Sequence, residues 1–126
     1  VGGVIRVTGH AAVFDRADRA GDVIRRGALR ADAAVALLRQ HRGAPVGTIE
    51  TIAEDDRGLR VVALVADAEA ARLVTCGALP GLSVGYRPRA VRQGARREIM
   101  TADLVEISLV AVPMQPAARI ATIERL

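Results

Sequence analysis

The chain has 126 residues, 51% hydrophobic and only 2% aromatic, with a formal net charge of +4. That length supports one domain, residues 1–126, closed around an aliphatic core that needs no staples. No apolar run is long enough to cross a bilayer, no signal-peptide pattern is present, and the lone Cys76 can form no internal disulfide, all of which points to an intracellular protein.

In chain order, VIRVTGHAAVF (4–14) mixes alternation with β-branched residues and predicts a strand. DRADRAGD (15–22) reads as a polar turn and VIRR (23–26) as a short strand. Asp15, Asp18 and Asp22 lack the spacing of a calcium loop, and two His and one Cys far apart make no zinc set, so no metal or cofactor is expected. ALRADAAVALLRQ (28–40) carries Ala and Leu at helical spacing and stops before Gly43 and Pro45, which predicts a helix. VGTIETIAED (46–55) and LRVVALVA (59–66) flank Asp56-Arg57-Gly58 as a hairpin. DAEAARLVTCGAL (67–79), opened by Asp67 and closed at Gly77, predicts a second helix. Strands follow at 81–87, near 97–101, at 103–112 and near 119–124. The sum is a β-rich α+β domain with two helices and a small closed or partly closed sheet.

Three segments carry candidate chemistry. Gly81-Leu82-Ser83-Val84-Gly85 reads as G-x-S-x-G, but a hydrolase elbow needs a helix next and a histidine later in the chain. Pro88 opposes that helix, and His10 and His41 both precede Ser83. A serine triad is nevertheless defined by geometry rather than by sequence order. On a strand, Gly81, Ser83 and Gly85 share one face, which leaves room above the hydroxyl for a base and a carbonyl. Ser83 is then either a nucleophile or a small residue at a close backbone approach.

His41 lies on the short connection between the expected helix and the next strand, a favoured place for a working residue or simply a solvated one. His10 sits inside the first strand. In TADLVEISLVAVP, alternation places Val105, Ile107, Leu109 and Ala111 on one face and Leu104, Glu106, Ser108, Val110 and Val112 on the other. A carboxylate in mid-strand needs a partner, which an imidazole or one of the many Arg side chains can supply. All 18 basic residues are Arg, and five of them fall in YRPRAVRQGARR (86–97). Nucleic-acid binding is not expected there, because such surfaces add aromatic stacking platforms that this chain lacks. An exposed hairpin loop, or a docking surface for acidic scaffold, fits better. Cys76, near a helix end with no adjacent base, makes a weak nucleophile.

GHAAVFDRADRAGDVIRRGAL, LLRQHRGAPVGTIETIAEDDRGLRV, LVTCGALPGLSVGYRP and DLVEISLVAVPMQPAARI, in this order, resemble the prohead (capsid-maturation) proteases of tailed phages and phage-like particles. Those proteins are related in fold to the assemblin proteases of herpesviruses. The resemblance implies a mostly antiparallel, seven-stranded, barrel-like sheet with peripheral helices. It implies a serine endopeptidase with Ser83 as nucleophile, His41 as general base and acid, and Glu106 where the herpesvirus branch has His. Position 10 is commonly Tyr in such proteins, which makes His10 incidental. Backbone N–H groups around Met114 and Gln115 would help hold the oxyanion. The implied substrates are the scaffold or scaffold-like segment of the major capsid protein and the protease itself, cut inside the prohead in the bacterial host cytoplasm. A homo-oligomer is expected by analogy with assemblins, with no membrane association and no cofactor. The competing reading is a non-catalytic capsid-assembly or scaffold component on the same fold.

Overall fold

The computed structural model describes residues 3–126. Strand β1 (Ile5–Val13) lies between β6 (Gly58–Val65) and β9 (Ile120–Arg125), antiparallel to both. The hairpin of β5 (Arg42–Glu54) with β6 turns where expected. Asp55 closes that turn, its carboxylate accepting the N–H groups of Arg57 and Gly58. Alternation along β6 buries Leu59, Val61, Ala63 and Val65, and with Ile5 and Val7 of β1 these form one wall of the core.

Helix α1 (Ala68–Thr75) follows, capped by Asp67, whose carboxylate accepts from the N–H of Ala70 at 2.9 Å. Its buried Ala70, Ala71 and Val74 form the apolar stripe that seats it on the core. It is the only helix among the described residues. The helix expected at 28–40 does not form. That segment supplies β3 (Leu29–Arg30) and β4 (Ala36–Arg39) instead, each parallel to β8 (Arg97–Val110). Tertiary pairing outweighs the local preference of Ala and Leu here. Ala102 donates its N–H to Ala28 at 2.8 Å, and Leu37 is 1% exposed.

β8 is the axis of the molecule. β7 (Gly81–Gln93) runs antiparallel along one side of it, while β2 (Val23–Ile24), β3 and β4 line the other side in succession. The two strands expected near 97–101 and at 103–112 are therefore one. The result is a single mixed, mostly antiparallel, nine-stranded sheet. It is open. Among the described residues an isolated bridge between Gly81 and Arg119 links β7 to the segment entering β9, flanked by Leu82 N–H to Ala118 O and Ile120 N–H to Pro80 O, both at 3.0 Å.

Candidate active site

Three neighbouring strands bring the candidate residues together. In the β7–β8 register Ser83 faces Ser108 and Gly85 faces Glu106, while β4 places Ala36 opposite Glu106 on the other side. On the inner face Leu82 pairs with Leu109 and Val84 with Ile107, with Leu37 beside Ile107 from β4, so that side is core. The opposite face holds Ser83, Glu106 and Ser108, which are 6%, 8% and 0% exposed. Of the four apolar residues on the inner face, Ile107 and Leu109 are buried, while Val105 and Ala111 are exposed.

The glycines beside Ser83 have a use that differs from the expected one. A Cβ on Gly85 would lie 2.7 Å from Glu106 Oε2, so the space is filled by the carboxylate itself. A Cβ on Gly81 would lie 2.8 Å from Pro113, whose ring packs there at the start of the loop that carries Met114 and Gln115.

His41 follows no helix. It is the second residue of a two-residue turn joining β4 to β5, where Arg39 pairs with Arg42. Gln40 and His41 adopt positive φ, 53° and 62°, as a hairpin turn of matching twist requires. Glycine or asparagine usually serves in that conformation, so other residues here are strained and must be held by their surroundings. Gln40 donates its N–H to Leu109 O at 3.0 Å, and its side-chain Oε1 accepts from Ala111 N–H at 3.0 Å. The His41 N–H donates to Ser108 Oγ at 3.0 Å.

This turn swings the imidazole onto Glu106, with Nδ1 2.8 Å from Oε2 and 3.1 Å from Oε1. An ionised carboxylate only accepts, so the bond puts the ring proton on Nδ1 and leaves the Nε2 lone pair free. The Ser108 hydroxyl donates to Glu106 Oε1 at 2.8 Å. None of the His41 hydrogen bonds goes to Ser83. Both side chains instead line one cavity of about 280 Å³, with Val84, Tyr86, Met114, Gln115, Asp18 and Asp22 around them. Burial raises the Tyr86 hydroxyl above its ordinary pKa, reinforced by Asp22 and Asp18, so it stays protonated in the wall. Gln115 is buried, and its amide brackets the backbone of Val13, accepting from N–H at 2.6 Å and donating to C=O at 2.7 Å.

The other candidates lie apart. The ring of His10 pairs through Nε2 with Asp55 at 2.7 Å and does not line the cavity. The Gly58 N–H, then His10 and the Arg57 N–H, hold the Asp55 carboxyl well below the usual carboxylate range. Cys76 is exposed at the end of α1. The Arg-rich stretch is the exposed end of the β7–β8 hairpin, where Arg89 pairs with Asp103 and Arg97 with Asp22.

Residues 2–126 match the family described as Caudovirus prohead serine protease. The chain belongs to that family. Its fold is similar to the varicella-zoster virus protease, with TM-score 0.62 and 17% identity over 96% of this chain and 64% of that one. It is also similar to the KSHV protease, solved in complex with a hexapeptide phosphonate inhibitor, with TM-score 0.60 and 13% identity over 95% of this chain and 64% of the other. The chain thus spans 64% of the length of each of these herpesvirus proteases. No curated protein matches it. Sequence reasoning did not single out Ser108. The available signal was its i+2 spacing from Glu106, which puts both on one strand face.

Proposed function

We propose that the chain is a serine endopeptidase of capsid maturation, with Ser83 as nucleophile, His41 as general base and acid, and Glu106 orienting His41. The observation that carries this reading is the Glu106–His41 bond through Nδ1, in a cavity that His41 shares with a serine. Substrate carbonyl carbon is attacked by Ser83 Oγ as the hydroxyl proton passes to Nε2 of His41. The buried carboxylate of Glu106 stabilises the imidazolium so formed and fixes its tautomer. The tetrahedral oxyanion is held by backbone N–H groups of the loop at Met114 and Gln115, which lies against the same cavity. His41 then returns the proton to the leaving amine, and water completes the cycle by the same route in reverse.

Family membership supports scaffold or major capsid protein as substrate, and the protease itself by autoprocessing, inside the prohead in the host cytoplasm. The fold shared with the herpesvirus proteases supports a barrel-like working form, with β7 and β9 drawn together at the Gly81–Arg119 bridge, and a homo-oligomer. The test is cleavage of the co-encoded major capsid protein by purified protein, with Ser83→Ala as control. Specific cleavage lost in Ser83→Ala is expected; cleavage that survives it overturns the proposal.

A further inference from the structure

The Ser108 hydroxyl is fully buried and makes two bonds at once, as a group with one donor and two acceptor sites can. It donates to Glu106 Oε1 at 2.8 Å and accepts from the backbone N–H of His41 at 3.0 Å. The imidazole of His41 bonds in turn to the same carboxylate at 2.8 Å. The result is a closed ring: His41 backbone, Ser108 hydroxyl, Glu106 carboxylate, His41 ring.

We infer that Ser108 is a positioning residue, which locks the Glu106 carboxylate and the strained His41 turn into one geometry. The inference rests on the serine-protease reading above. His41 is held at φ 62°, a conformation that persists only where its surroundings over-determine it. The bonds of Gln40 anchor the turn to β8 and the segment after it but reach neither the imidazole nor the carboxylate. Ser108 alone ties the backbone of His41 to the group that orients its ring. The Glu106 carboxylate has no other hydrogen-bond partner among the described residues than His41 and Ser108. Without the hydroxyl, the carboxylate is held by its bond to the His41 ring alone, and the His41 N–H loses its acceptor.

The test uses a fluorophosphonate probe on folded protein, reading the limiting labelling rate, the half-saturating probe concentration and the melting temperature. Ser108→Ala removes one oxygen and keeps the buried Cβ. Its limiting rate is expected to fall roughly ten- to hundredfold, the range for losing one hydrogen bond to a charged group, with half-saturation unchanged. In a His41→Ala background the same substitution should leave the residual rate unchanged while lowering Tm as before, because its effect on rate runs through His41. A native rate in folded Ser108→Ala, or an equal fold-loss in both backgrounds, overturns the inference while labelling at Ser83 stands. Native protein that takes no label at Ser83 overturns the serine-protease reading itself, and this inference with it.

Discussion

Gly85→Ala strikes the site without removing any of its functional groups. A Cβ there would lie 2.7 Å from Glu106 Oε2, 2.8 Å from Cδ and 2.9 Å from Cγ. Ordinary contact begins at 3.4 Å, so the carboxylate has to retreat by about 0.7 Å. The Nδ1 to Oε2 bond is 2.8 Å, and lengthening it by that much leaves no hydrogen bond worth the name. Overpacking of this kind costs about 1–3 kcal/mol, which lowers Tm by several degrees in a chain of this size. A misplacement near 1 Å costs on the order of a hundredfold in rate. The expected outcome is a folded protein with kcat down roughly ten- to hundredfold, measured by peptide cleavage alongside thermal unfolding. Glu106→Ala supplies the cross-check, since it removes the clashing atoms and should make the added Gly85→Ala nearly neutral for stability. Undiminished kcat in folded Gly85→Ala, or an equal Tm loss in both backgrounds, would refute the reasoning.

His41→Ala should remove most of kcat in folded protein; loss of activity in His10→Ala instead would mean that the base is misassigned. Glu106→Gln keeps the shape but not the charge and should lower turnover by about ten-thousand-fold, and Glu106→His should retain more activity than Glu106→Ala. Full activity in folded Glu106→Ala would reduce the machinery to Ser83 and His41. Asp55 has a folded-state pKa depressed below its unfolded value, so its contribution to stability is complete above the ordinary aspartate range, near pH 4, and is lost as pH falls below it. Tm measured from neutral pH downward should therefore fall less steeply in Asp55→Asn than in the native protein, and identical slopes would refute that linkage.

Strands with strong β-branched alternation were legible in the sequence, as were the hairpin at Asp56-Arg57-Gly58 and the Asp67 cap, because their signals are local. The segment 28–40 was not. Its Ala and Leu spacing is helical, and only the presence of β8 alongside, which the local sequence cannot encode, makes it two short strands. That error moved His41 from a loop after a helix into a two-residue turn, and Gln40-His41 lacks the Asn-Gly chemistry that announces such a turn. For the site, the residue types and the glycines around Ser83 were visible, yet the glycines were read as room for a base. They accommodate Glu106 and Pro113. Cross-strand register decides that, and register is a property of the folded pair.

The most direct test of the account is fluorophosphonate labelling of the native protein followed by mass mapping of the modified residue. Label on Ser83, lost in Ser83→Ala with Tm unchanged and slowed strongly in His41→Ala, is the result the account requires. Removal of such a nucleophile costs roughly a million-fold in kcat where the comparison has been made in serine proteases. Label on Ser108 or Cys76, or cleavage that survives Ser83→Ala, would contradict it.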